Sequence, residues 1–180
     1  MAEQYQSFTA TMSIHGRPVT LVSASIGPAS VATQRKPTEP LLFRFYYAPD
    51  GTYKINVAAG KQQGQWIGIG HEYGLETSDE ACKFFIYLKG VSLTPSDWQA
   101  DDATIYMQSL KGGSVQQRMD PDTVFDDLDE LFNFLLAVPK KDRGDGTYLA
   151  MIEDEWVKKP LKYNAPHVKI TLNNISIENQ

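Results

Sequence analysis

The chain has 180 residues and a mass of 20.2 kDa, room for one compact domain with a sizeable core. Seventeen Lys and Arg against 22 Asp and Glu leave a net charge of −5, a poor match to a polyanion, so a general nucleic-acid role is set aside. Hydrophobic residues at 42% exclude wholesale disorder, and the single cysteine, Cys82, excludes an internal disulfide and a Cys-rich zinc site.

Residues 1–12 carry Glu3 and no basic start followed by an apolar stretch, unlike a secretion signal or an Arg-rich transit peptide. The longest apolar runs, such as Phe134–Val138, span about five residues, where a bilayer crossing needs about 20. A cytoplasmic protein, or one released without a cleaved signal peptide, is expected, with no membrane-spanning segment.

Alternation with period two marks half-buried strands. It is read first at Phe8–Ile14 and Val19–Ser25. Pro28–Pro40 follows as the loosest stretch, with three prolines and the basic pair Arg35-Lys36. Leu42–Ala48 then puts Phe43, Phe45 and Tyr47 on one face and Leu42, Arg44 and Tyr46 on the other. Tyr53–Val57 turns Tyr53, Ile55 and Val57 inward, with Lys54 and Asn56 outward. Pro49-Asp50-Gly51-Thr52 joins these two segments. Its Asp-Gly predicts a hairpin, because the turn needs a positive φ that glycine adopts without a steric penalty.

Further strands are predicted at Gln65–Ile69, Lys83–Leu88, Thr104–Leu110, Thr147–Ile152 and Val168–Leu172, with Pro95–Asp102 as a loop. Ile175 and Ile177 fall on the parity opposite to Val168, Ile170 and Leu172, which predicts a bulge or bend at Asn173-Asn174.

One segment departs from this pattern. Over Asp122–Ala137, Val124, Phe125, Leu128, Leu131, Phe132 and Leu135 recur at steps of three and four, with acids and Asn133 between them. Asp120 or Asp122 can cap the start, and Pro139 follows the end. The spacing predicts one amphipathic helix at about 122–137, with its acids near the favourable end of the helix dipole. The same acids do not make an EF-hand, since Phe125 stands where glycine is required. No linker rich in Gly, Ser or Pro divides the chain, so residues 1–180 are read as a single β-rich domain.

The tetrapeptide Asp-Gly-Thr-Tyr occurs twice, at Asp50–Tyr53 and Asp145–Tyr148. Between Gly51 and Leu88 the order is strand, Gly-rich turn, strand, polar hairpin, aromatic strand. In Tyr53-Lys54-Ile55, Gly64-Gln65-Trp66-Ile67-Gly68 and Phe84-Phe85-Ile86-Tyr87 this stretch resembles one repeat of a β-trefoil, the fold of ricin-type lectin domains and fascin-like modules. The resemblance implies a mainly β, β-trefoil-like fold with the predicted helix as an insertion. A two-sheet β-sandwich with one helix accommodates the same strand count. The glutamine-x-tryptophan signature of sugar-binding ricin-type modules is absent, with Phe84-Phe85 and Val168-Lys169 in its place.

No nucleophile elbow, Walker loop, paired-His helix or dinucleotide fingerprint is present, so no catalytic residue, metal or cofactor is assigned. His15, His71 and His167 are far apart in sequence. Cys82 beside Lys83 reads as a small hydrophobe at the start of a strand, and Arg143-Gly144-Asp145 as a turn.

The aromatics carry the functional reading. A sugar ring lays its C–H face on an aromatic plane, while its hydroxyls seek amide or carboxylate partners. Gln65 with Trp66, His71 and Glu72 with Tyr73, Asp97 with Trp98, and Trp156 beside Glu155 each supply both halves. The expectation is a non-enzymatic, lectin-like module that binds carbohydrate or a glycoprotein on a cell surface. The alternative is a protein-binding module, such as an inhibitor, toxin component or immunity-type partner.

Overall fold

The computed structural model describes residues 7–23, 27–34, 37–70, 73–88, 91–92, 102–110, 115–117, 132–137, 140–142, 145, 147–152, 155–160 and 169–178. Among them are sixteen strands and no α-helix. The first part of the chain supplies β1 (Ser7–Ile14), β2 (Arg17–Val22), β3 (Ser30–Gln34) and β4 (Leu42–Tyr47). Next come β5 (Tyr53–Val57), β6 (Trp66–Ile69), β7 (Leu75–Ser78), β8 (Lys83–Leu88) and the short β9 (Val91–Ser92). The remainder holds β10 (Ala103–Ser109), β11 (Gln116–Gln117), β12 (Phe132–Leu136), β13 (Lys140–Asp142), β14 (Thr147–Ile152), β15 (Glu155–Pro160) and β16 (Ile170–Glu178).

All pairings among these strands are antiparallel, and they close on themselves. Nine strands form one closed barrel circuit, in the order β1-β2-β3-β7-β6-β5-β8-β10-β16. Strand β4 pairs with both β1 and β5, so a tighter circuit of six, β1-β4-β5-β8-β10-β16, is closed within it. Closure removes the exposed edges that would otherwise template pairing between chains.

The six strands fill their interior by alternation. Phe8, Ala10 and Met12 point in from β1, Phe43 and Phe45 from β4, and Tyr53, Ile55 and Val57 from β5; all are buried. Phe84 and Ile86 of β8, Ile105 and Met107 of β10, and Ile170 and Leu172 of β16 complete the ring of inward residues. Phe8 and Phe45, cross-strand partners, stack with centroids 4.7 Å apart and planes 6° from parallel, while Tyr53 meets Phe8 edge-on at 6.1 Å.

The same arrangement recurs along the chain. The first half of β1 pairs with β4 and its end with β2, through Ser13 and Ile14. The start of β5 pairs with β8, and Asn56 then pairs with Trp66 of β6. The start of β10 pairs with β16, and the Val115 amide then donates to the Met107 carbonyl. Three hairpin-like units therefore leave the six-strand circuit at corresponding places. Their second limbs meet one another: β3 with β7 through Ser30 and Glu76, β3 with β12 through Ala32–Gln34, and β12 with the segment before β7 through Gly74 and Leu136. Each unit adds to the core an apolar residue near its first limb and another on its second, among them Val19 and Val31, Ile67 and Leu75, Val115 and Leu135. Strands β13, β14 and β15 make a separate three-stranded sheet.

The predicted hairpin between β4 and β5 is present. Gly51 has φ 84°, the Gly51 amide donates to the Ala48 carbonyl, and Asp50 accepts from both the amide and the hydroxyl of Thr52. In the second Asp-Gly-Thr-Tyr copy, Thr147 and Tyr148 begin β14, and Tyr148 faces Asp142 of β13 as Tyr53 faces Tyr47. The bulge near Asn173-Asn174 is present too. Thr9 faces Ser176 but Thr11 faces Asn173, so β16 carries one extra residue there, and Asn174 takes φ 57°.

Two expectations are corrected. Phe132–Leu136, read as the end of an amphipathic helix, is a strand between β3 and β11. The run Phe132–Val138 is apolar at nearly every position, so its periodicity distinguishes poorly between helix and strand. The open edge of β3 decides, offering backbone hydrogen bonds and a buried place for Leu135. Residues 122–131 of the expected helix lie outside the described residues. Within Pro28–Pro40, taken as loose, Ser30–Gln34 forms β3 and buries Val31, Ala32 and Thr33.

Two outcomes follow. Phe45→Ala deletes a ring that is fully buried and stacked, and urea denaturation should show a loss of about 3–5 kcal/mol. Asp50, held by the Lys83 ammonium at 2.8 Å and by Thr52, has its pKa lowered from 3.8 to about 2. A lowered folded-state value means that the stabilisation is full above about pH 3.8 and is lost as the pH falls towards 2. Asp50→Asn should flatten the fall of Tm across that interval, as followed by circular dichroism.

Candidate functional site

The alternation that sends aromatic rings into the barrel sends the intervening residues to its outer face. Cross-strand register arranges them in rows. One row runs from Ser176 through Thr9, Arg44, Asn56 and Trp66 to Ser78. The adjacent row runs from Glu178 through Ser7, Tyr46 and Lys54 to Lys83. Aromatic, amide and charged groups from β4, β5, β6, β8 and β16 are thereby gathered on the outer face.

Trp66 and Tyr46 form the aromatic part. They lie diagonally across β5, both half-buried, with ring centroids 5.5 Å apart and planes inclined at 56°. Gln65, immediately before Trp66, is exposed. Gly68 follows on the same face, and there is no room for a larger residue, since a Cβ at that position would come within 2.9 Å of the Ser78 Cβ and 3.0 Å of the Glu80 carbonyl oxygen. The close approach fixes the turn after β7 beside β6.

Arg44 and Glu178 form the charged part. The Arg44 Nε donates to Glu178 Oε1 at 2.8 Å, and both side chains keep about a third of their exposure. The hydrogen bond to Glu178 raises the Arg44 pKa further above its ordinary value, against an opposing effect of burial and with a contribution from Tyr46. The pair exists because of the bulge at Asn174. Before it, the even-numbered residues Ile170 and Leu172 point inward; after it, Ile175 takes the inward place and Glu178 faces out beside Arg44.

Two polar atoms on this face are buried without a hydrogen-bond partner among the described residues: Ser7 Oγ and Asn56 Oδ1. Asn56 sits between Arg44 and Trp66 in register and is 8% exposed. Lys54 and Lys83 border the face, the Lys83 ammonium being held by Asp50 at 2.8 Å. That pairing turns the ammonium toward the β4–β5 turn. Cys82, half-buried next to it, donates from Sγ to the Lys83 carbonyl at 3.5 Å.

Of the residues singled out in the sequence, Gln65 and Trp66 belong to this face. Tyr73 is half-buried with φ 61°, in the segment where the hairpin limbs meet, and its carbonyl accepts from the Ala137 amide. Trp156 lies in β15 opposite Met151, in the separate sheet. His71, Glu72, Asp97 and Trp98 lie outside the described residues. The described residues thus bring Gln65 and Trp66 together with Tyr46, Arg44, Asn56, Ser7 and Glu178, which the sequence reading had not joined to them. The outward parity of Arg44, Tyr46 and Asn56 was readable; that β4, β5 and β6 lie side by side was not.

Among the described residues no three His, Cys, Asp or Glu side chains gather as a metal site, and no helix is long and apolar enough to cross a membrane. No protein-family model, curated protein or solved structure matches the chain.

The arrangement offers two aromatic rings inclined at 56°, an amide acceptor and an ion pair on one surface. Glu178→Gln should break the ion pair while leaving the barrel closed. Because both partners are partly exposed, urea denaturation should register a loss of only about 0.2–1 kcal/mol.

Proposed function

We infer that the chain is a non-enzymatic recognition module that binds carbohydrate, free or on a glycosylated surface, through the face around Trp66. The observation that carries this reading is the Trp66–Tyr46 ring pair, half-exposed beside Asn56, Gln65 and the Arg44–Glu178 pair. A pyranose has one face of C–H groups and a rim of hydroxyls. The rings supply a partner for the first, and the amides and ion pair supply acceptors and donors for the second. The face lies on strands, so its geometry is held by the sheet.

We read the fold as β-trefoil-like. The closed circuit of six strands and the three hairpin units that meet beyond it support this reading, together with the resemblance carried by Gly64–Gly68 and Phe84–Tyr87. Closure favours it over a two-sheet sandwich. In this reading β13–β15 and the residues leading to them are an insertion in the third unit.

The test is a glycan array followed by titration of any sugar retained. Binding should be lost by about 30-fold in Trp66→Ala, the size of effect for an aromatic anchor at the centre of a site. The absence of any binding above background at high protein concentration would refute the carbohydrate reading. If a tagged chain instead retains a protein that simple sugars do not release, the protein-binding alternative takes its place.

A further inference from the structure

We propose that Asn56 is the residue that selects the ligand at this face, and that its carboxamide oxygen takes a hydroxyl of an uncharged sugar. The proposal rests on the carbohydrate reading above. Asn56 occupies a central strand, between Arg44 on β4 and Trp66 on β6, and is more than nine-tenths buried. Its Oδ1 has no hydrogen-bond partner among the described residues. A buried acceptor left unpaired is destabilising, and such groups are rare in folded chains unless they serve another purpose.

The corresponding place in the first hairpin unit makes the contrast. There Ser13 faces Pro18 as Asn56 faces Trp66. The Ser13 hydroxyl accepts from Asn173 Nδ2 at 3.0 Å, so that position is satisfied within the protein and carries no aromatic ring opposite. Only the second of these two units combines an unpaired acceptor with a ring pair.

The chemistry of the ligand follows from the atom. An amide oxygen accepts and does not donate, so it favours a hydroxyl and disfavours a carboxylate. The neighbouring cation, Arg44, has its Nε held by Glu178 at 2.8 Å, and the Glu178 carboxylate beside it repels the carboxylate of an acidic sugar. The atom is itself buried, so recognition requires the soft terminal torsion of asparagine to turn Oδ1 toward Trp66 when the ligand binds. A neutral ring stacked on Trp66 then presents a hydroxyl to Oδ1.

The experiment measures sugar affinity and Tm for the full chain and for Asn56→Leu and Asn56→Thr, with neutral and uronic-acid sugars on the same array. Asn56→Leu keeps the shape and removes the acceptor; affinity for neutral sugars should fall at least about tenfold while Tm is unchanged or raised. Asn56→Thr retains an acceptor oxygen on a strand-favouring side chain and should keep more of the affinity than the Leu variant. If wild type and Asn56→Leu bind equally, the inference fails and the carbohydrate reading stands. A lowered Tm in both variants would make Asn56 a structural residue and overturn the inference. Binding of uronic acids in preference to neutral sugars overturns the stated ligand class. No sugar binding by wild type overturns the carbohydrate reading and this inference with it.

Discussion

Closure of the six-strand circuit is the constraint on which the rest of the molecule depends. Each strand must place alternate residues in a confined interior, and the circuit closes only if those residues fill it. Phe8, Phe43, Phe45, Tyr53 and Phe84 are its largest side chains, all fully or nearly fully buried. Alternation then leaves no freedom for the residues between them. Arg44, Tyr46, Lys54 and Asn56 face outward because Phe43, Phe45, Tyr53 and Ile55 face in. The candidate site is in this sense the obverse of the core.

The bulge in β16 shows how a local irregularity serves the same end. A nine-residue strand with uninterrupted parity would point both Ile170 and Glu178 into the barrel. One extra residue, with Asn174 in a left-handed conformation, reverses the parity midway. Ile175 is buried as a result, and Glu178 reaches Arg44 across β1. The core gains an apolar residue and the outer face gains an ion pair from a single insertion.

Legibility in the sequence varied with how local the determining interaction is. The β4–β5 hairpin could be read from Asp50-Gly51 because its turn, its register and its Asp50–Thr52 hydrogen bonds all lie within a few residues. The Asn173-Asn174 bulge was legible because the parity of the isoleucines changes on either side of it. Strand β3 was not, since three prolines surround it and its partners are β2, β7 and β12. Phe132–Leu136 was misread as helix because its hydrogen bonds go to a strand about a hundred residues earlier, Ala32–Gln34, which no local pattern announces.

The sequence by itself determined which side of β4 and β5 is apolar, where the tightest turn falls and where the parity of β16 changes, since these depend on residues adjacent in the chain. It also placed an amide, Gln65, beside an aromatic ring, Trp66. Only the tertiary structure decided that β4, β5 and β6 stand side by side, that the Tyr46 and Trp66 ring centroids lie 5.5 Å apart, and that Asn56 is buried between Arg44 and Trp66 in register, its oxygen unpaired among the described residues. Those neighbours are set by the order in which strands close the barrel, a property of the whole chain that the period of any one segment does not contain.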